Sequence, residues 1–367
     1  MNNQGLESGT LLSPPGDDVN MNNKGLGIGT SSSRPGDTRA DTCAESAAIL
    51  QIRGLKLWYK IYKGYSKVLD GVDLTVGKGQ KVGIVGEAGC GKTTTVKAIL
   101  SILPDRKYLI PEGEIIYKGK DVLKMGAAEL GQIRSGEISM IYQEPAAALN
   151  PVFTIGQQMM DVVKYSAHGA GKDHKLHKEI VLQAIRDVFI PDPERIFSFY
   201  PNQLSGGMKQ RICIAMAIMT QRDLMIADEP GTALDVTIQS QIHKMLDQLV
   251  AERGMSLIMI THSLGVAREL TDVINIMYAG TVVESAPSAE VFVHALHPYT
   301  KGLLEAVPRL VGGGIQSGIY GSIPDYFDPP PGCRFAPRCP QATEKCRKEK
   351  PLLKDVGSQH RVACFNV

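Results

Sequence analysis

QKVGIVGEAGCGKTTTVKAILSIL, residues 80–103, decides how the chain is read. QKVGIVG is a short apolar run of the kind that forms a buried strand. It leads straight into GEAGCGKT, residues 86–93, which fits the pattern G-x-x-x-x-G-K-[ST]. TTTVKAILSIL then reads as a helix. Strand, glycine-rich loop and helix in that order make a cradle for phosphate. The glycines let backbone N–H groups wrap the oxygens, and the helix contributes its positive N-terminal end. Gly86, Glu87, Ala88, Gly89, Cys90, Gly91, Lys92, Thr93 and Thr94 are the candidate contacts. In such a loop Lys92 reaches the β- and γ-phosphates, and the Thr93 hydroxyl ligates Mg²⁺.

The pattern continues on both sides. ILQIRGLKLWYKIY (49–62) and KVLDGVDLTV (67–76) alternate like strands, with Lys78-Gly79 as a turn. DLMIADEP (223–230) and SLIMITH (256–262) are apolar runs of strand length. The stretch between them, TIQSQIHKMLDQLVAERG (237–254), is helix-like, and Gly254 suits its C-terminal cap. Helical patterns dominate from about residue 150 to about residue 222. This alternation predicts a parallel α/β sheet. LMIADEP delivers Asp228 to a strand end, where it holds Mg²⁺ directly or through water. The neighbouring Glu229 is placed to polarise an attacking water as general base.

The chain has 367 residues, 43% of them hydrophobic, enough for one large or two modest cores. Lys+Arg is 40 and Asp+Glu is 38, a balance that gives no steer toward nucleic acid. The best apolar run, Ile212–Met219, falls far short of the roughly 18 residues of a spanning helix. The start lacks a basic segment followed by an apolar one, so no secretory signal is expected. The expected location is the cytoplasmic face of the membrane, reached through partners. Residues 1–46 are rich in Gly, Ser, Asn, Asp and Pro, and MNNQGLESGTLLSPPGD is echoed from Met21 by MNNKGLGIGTSSSRPGD. This is expected to be a disordered tail with a repeat of period 20. Of seven cysteines, Cys43, Cys90 and Cys213 are scattered, while Cys333, Cys339, Cys346 and Cys364 cluster. In a reducing cytosol such a cluster suggests metal sooner than disulfides.

LSGGMKQR, residues 204–211, ends 17 residues before Asp228 and resembles the signature sequence of the ABC ATPase family. Other elements match in order: Gln143 in IYQEP, Asp235 in ALDV and His262 in ITHS. The resemblance implies a RecA-like parallel sheet core, an N-terminal antiparallel β subdomain and an α-helical subdomain over about 150–222. It sets an ATPase domain at 49–290 and a Cys-containing extension at 291–367. It assigns Gln143 to Mg²⁺ and γ-phosphate sensing, His262 to the γ-phosphate and Asp235 to a dimer seam. Ser205, Gly206 and Gly207 open a helix, a second anion-binding surface. In the family that surface closes over ATP held by another subunit, so two ATP molecules sit in a head-to-tail dimer. An aromatic ring on the N-terminal sheet stacks on adenine there. Tyr59 aligns with that place, and Tyr62 and Tyr65 are rivals.

IYQEPAAALNPVFTIGQQ, ADEPGTALDVTIQSQI, HPYTKGLLEAVPRL and PPGCRFAPRCPQATEKCRKEKPLL resemble the dipeptide, oligopeptide and nickel import ATPases. That resemblance implies a related but different second ATPase subunit, two membrane permeases and an extracytoplasmic substrate-binding protein, with ATP and Mg²⁺ at the site. Nickel and oligosaccharides stay open beside peptides as cargo. A soluble ABC ATPase acting on DNA or ribosomes is the rival outside transport. It usually carries two cassettes, a coiled-coil insertion or basic stripes, and none of these occurs here. A non-hydrolysing regulatory partner is the other rival, opposed by Lys92, Asp228, Glu229 and His262. The cysteine spacing C-x5-C-x6-C-x17-C leaves a [4Fe–4S] cluster, Zn²⁺ and metal-free thiols open. Four positions depart from the usual pattern: Ala88 and Cys90 in the loop, where Ser is usual, Gly231 where Thr is usual, and Ser263 where Asp is usual.

Overall fold

The computed structural model describes residues 48–104, 107–166, 173–232, 234–307 and 318–367. The expected tail over 1–46, its repeat and Cys43 lie outside the described residues.

Two sheets build the molecule. The first is antiparallel. Strands β1 (Ala48–Ile61) and β2 (Gly64–Gly77) form a long hairpin. β4 (Tyr108–Leu109) and β5 (Glu114–Tyr117) pair with β1, and β6 (Lys120–Asp121) pairs with β5. The hairpin follows the alternation in the sequence: Leu55, Leu57, Leu69, Val72, Leu74 and Val76 are buried on one face.

The second sheet holds β3 (Lys81–Val85), β7 (Ile138–Ile141), β8 (Leu224–Asp228), β9 (Ser256–Thr261), β10 (Val273–Tyr278), β11 (Thr281–Pro287), β12 (Lys354–Asp355) and β13 (Arg361–Val362). Their order is β12-β13-β11-β10-β3-β9-β8-β7. β10, β3, β9, β8 and β7 run parallel, whereas β11, β13 and β12 add antiparallel pairs at one edge. The central strands are apolar on both faces, as a covered parallel sheet requires. Alternate residues of β8 serve different cores. Leu224 and Ile226 join the cluster shared with the N-terminal sheet, and Met225 and Ala227 join the cluster under the helices.

Helix α1 (Lys92–Ile99) follows the glycine-rich loop. Its three threonines are poor helix formers, so burial of Thr95, Val96, Ala98 and Ile99 stabilises it rather than propensity. The expected helix ran on to Leu103. It stops early because Ser101 turns left-handed at φ 50. Helices α2 (Ile155–Tyr165), α3 (His174–Asp187) and α4 (Gly206–Ile218) form a helical layer. Met159, Val163, Val181, Ile185, Ile212 and Ile214 pack as its apolar centre. The start of α2 is fixed by a reciprocal cap: the Gln157 N–H donates to Thr154 Oγ1 at 3.2 Å, and the Thr154 N–H to Gln157 Oε1 at 2.9 Å. Helix α5 (Val236–Glu252) links β8 to β9, and Gly254 just past its end adopts φ 61. Helices α6 (Leu264–Leu270) and α7 (Pro298–Glu305) follow. The described residues form one compact unit. Among the described residues no helix is long and apolar enough to cross a membrane.

Candidate functional site

The parallel strands fix the site, because in open α/β sheets ligands bind beyond the carboxyl ends of the strands. The loop Gly86–Gly91 leaves β3, Gln143 follows β7, Asp228 and Glu229 end β8, and His262 follows β9. Four neighbouring strands thus deliver these groups to the same end of the sheet.

The glycine-rich loop is built for glycine at specific points. A Cβ on Gly86 would stand 2.1 Å from the Met277 carbonyl oxygen of β10. Gly91 caps α1 at φ 104, a left-handed conformation natural to glycine. Lys92 is 5% exposed, and its Nζ donates to the carbonyls of Gly86 at 2.7 Å and Glu87 at 3.0 Å. Ala88 and Gly89 form the exposed crest. Cys90 is buried, which pushes its thiol up in pKa despite the nearby Lys92. Thr93 and Thr94 are half-buried in the first turn of α1.

Asp228 is 3% exposed. Burial raises its carboxyl pKa, opposed by the hydroxyl of Thr93 and the charge of Lys92. A buried carboxylate beside a threonine hydroxyl suits a divalent cation, so Thr93 and Asp228 fit Mg²⁺. Glu229 is left-handed at φ 47, with its N–H donating to Ile260 O at 2.9 Å. Its Oε2 gathers Gln143 Nε2 at 3.2 Å, Thr232 Oγ1 at 3.0 Å and His262 Nδ1 at 3.3 Å. The structure therefore brings Gln143, Glu229 and His262 together and adds Thr232, which sequence reasoning missed.

The two departures beside this group have local explanations. A Cβ on Gly231 would stand 2.6 Å from Gln239 Cγ, so this chain is packed for glycine there. Ser263 caps α6, its Oγ accepting from the Val266 N–H at 3.4 Å. Aspartate would serve equally as such a cap.

Ser205 caps α4 through the Met208 N–H at 3.3 Å, and Ser205 and Gly206 are exposed. A Cβ on Gly206 or Gly207 would stand 3.4 Å from Leu234 Cδ2 or 3.1 Å from Ile238 Cγ2, so the start of α4 lies against the segment around Asp235. Asp235 is exposed too. Tyr59 is half-buried in β1 and packs against the N-terminal core. Tyr62 is fully exposed at 101%, and Tyr65 tilts against Trp58 with ring centroids 6.1 Å apart.

The phosphate loop has partners the sequence did not announce. The Glu87 N–H donates to Tyr299 Oη at 3.1 Å, Tyr326 Oη donates to Gly89 O at 2.7 Å, and Arg338 Nη1 meets both Glu87 carboxylate oxygens at 3.0 Å. Cys333, Cys339, Cys346 and Cys364 line one small cavity with His297 and Phe335. Burial pushes the Cys333 thiol up to about 11 and raises that of Cys339. Four thiols around one cavity are a suitable donor set for a cluster or zinc. As placed, they do not form a ligand shell: among the described residues no group of three or more His, Cys, Asp or Glu is arranged to hold a metal ion.

Comparison with known proteins agrees with this geometry. Residues 69–232 match the ABC transporter family, and residues 283–346 match the oligopeptide/dipeptide transporter C-terminal region. The chain is 40% identical to the dipeptide transport ATP-binding protein DppD of Bacillus subtilis, covering 86% of this chain and 94% of that protein. It is 40% identical to the oligopeptide transport ATP-binding protein AppD of the same organism, covering 87% and 97%. Among solved structures, a dimeric ATP-binding cassette in a post-hydrolysis state bound to ADP and Pi aligns with a TM-score of 0.58 at 26% identity, covering 65% of this chain and 98% of that one. The chain therefore belongs to the ABC transporter ATPases, in the group that carries the oligopeptide/dipeptide transporter C-terminal region.

Proposed function

We propose that this chain is the ATP-hydrolysing subunit that powers a membrane importer of di- or oligopeptides. The convergence of Gln143, Thr232 and His262 on the Glu229 carboxylate, beside Asp228, carries the reading. Such a carboxylate takes a proton from the attacking water, His262 and Gln143 fix its orientation, and Lys92 and the loop N–H groups hold the phosphates. Mg²⁺ held by Thr93, Asp228 and Gln143 would neutralise charge on the transferred phosphoryl group. Tyr59 is the ring we assign to adenine.

The exposed Ser205, Gly206 and Asp235 and the half-buried Gly207 face a second ATPase chain, related but different, across two ATP molecules. Two permeases and an extracytoplasmic binding protein complete the importer, with this chain peripheral on the cytoplasmic face. The naming of the relatives for dipeptide and oligopeptide transport supports this cargo over nickel or oligosaccharide. The four C-terminal cysteines converge on one cavity, which supports a [4Fe–4S] cluster, or Zn²⁺, as a staple of the extension. Iron, sulfide and zinc analysis of anaerobically purified protein tests this. About four irons per chain are expected for the cluster, and thiols free of both metals overturn it.

The functional test is uptake of labelled di- and oligopeptides in the native cell, with the gene deleted and restored as wild type or Lys92→Ala. Loss of uptake that only wild type restores is the expected result. Unchanged peptide uptake with loss of nickel or sugar uptake overturns the cargo and leaves the ATPase standing.

A further inference from the structure

Glu87 is the most heavily tethered residue of the phosphate loop. Its carbonyl accepts from Lys92 Nζ at 3.0 Å and from the Cys90 N–H at 3.2 Å. Its N–H is held by Tyr299 at 3.1 Å, and its carboxylate by Arg338 at 3.0 Å to both oxygens. Tyr299 stands in α7, and Arg338 lies in the cysteine-bearing extension. Two residues on, Tyr326 holds the crest through Gly89. The far side of the loop is therefore walled by the C-terminal region.

Arg338 is itself immobilised. Its side chain is 6% exposed. Nε donates to Tyr320 O at 2.9 Å, Nη2 to Ile319 O at 3.0 Å, and the guanidinium lies 5.7 Å over the Tyr278 ring. Tyr278 packs on Tyr299 with centroids 4.7 Å apart and on Phe335 at 5.1 Å, and Phe335 lines the cavity of the four cysteines. A planar guanidinium fixed on three sides grips a carboxylate with a set direction, which lysine cannot reproduce.

We propose that Arg338 is a positioning residue for nucleotide binding. Acting through Glu87, it fixes the peptide whose carbonyl aims the Lys92 ammonium, so the phosphate cradle is pre-formed before ATP arrives. Pre-formation removes an ordering cost from binding. It acts equally on the bound ground state and the transition state, so its loss raises KM and leaves kcat nearly unchanged. The inference rests on the ATPase reading.

The experiment is a double-mutant cycle on the full chain, comparing wild type, Arg338→Ala, Glu87→Ala and the double variant. It reads the Kd for a fluorescent ATP analogue and the KM and kcat for ATP hydrolysis. Arg338→Ala should raise Kd and KM about tenfold with kcat held within about twofold. In the Glu87→Ala background the same change should add less than about twofold, because the two act as one unit. Arg338→Lys should recover only part of the loss. An Arg338→Ala protein that lowers kcat at constant KM has merely lost folded molecules, and that overturns the proposal. So does an equal loss in both backgrounds. Absence of ATP binding by the wild type would overturn the ATPase reading instead, which separates the two failures.

Discussion

Glu229 occupies a left-handed conformation, φ 47, that side chains other than glycine seldom adopt and that costs about 1 kcal/mol. The cost is met where the carboxylate has three side-chain partners, so the strain sits at the centre of the site. Glu229→Gln should lower ATP hydrolysis at least about 100-fold while leaving ATP binding intact. A variant that keeps the full rate removes Glu229 from its role. Gly231→Thr, which restores the usual family residue, should destabilise the fold by about 1 kcal/mol through its clash with Gln239. Adding Gln239→Ala should restore the denaturation midpoint, and no rescue would locate the clash elsewhere. Asp228 and Glu229 were legible because they stand at the end of a strand-length apolar run, and Gln143 and His262 because the motifs around them resemble those of the ABC ATPases. Thr232 was not, since a threonine in a turn carries no periodic signal. The partners of the phosphate loop were equally hidden. Tyr299, Tyr326 and Arg338 lie 212, 237 and 251 residues from the positions they hold, and contacts at such separations leave no local pattern.

Among the elements, those with strong periodicity or flanking turns were readable: β1, β2, β3, β8, β9 and α5. The hairpin of β10 and β11 was not recognised. Its turn places Ala279 at φ 44 and Gly280 at φ 79, and alanine is no turn signal. Tertiary packing sets that turn, since a Cβ on Gly280 would stand 1.8 Å from the Val68 carbonyl oxygen of β2. Helix α7 carries a pH dependence. His297 caps it, Nδ1 accepting from the Tyr299 N–H at 3.1 Å, and burial pushes its imidazole down to about 3. The unfolded chain takes up this proton near pH 6.5, whereas the folded chain refuses it. Its contribution is fully present above about pH 6.5 and declines as pH falls toward 3, by about 1.4 kcal/mol per pH unit. His297→Asn keeps a capping oxygen without the titration. Urea midpoints at pH 7 and pH 5 should show wild type losing about 2 kcal/mol more than the variant. Parallel losses would show that His297 does not drive the decline.

Across the whole molecule, the C-terminal region is sewn into the ATPase sheet. β13 pairs with β11, aligning Val362 with Glu284. Glu284 is 0% exposed, and its carboxylate takes the N–H groups of Leu296 at 2.7 Å and His297 at 3.0 Å and the His360 Nε2 at 2.7 Å. A fragment ending at residue 290 would strip all three donors from a buried carboxylate and bare the edge of β11. Such a fragment should aggregate or melt far below the full chain in a thermal scan. A fragment as stable as the full chain would show that the extension does not hold the sheet. Glu284→Gln in that fragment should recover part of the loss, because an amide is cheaper to bury than a charge. The same stitching bears on heredity. A recombination event that joined this nucleotide-binding segment to a foreign tail would separate Glu284 from His360 and Glu87 from Arg338 in one stroke. Chimaeras of these ATPases should work only when head and tail come from the same parent.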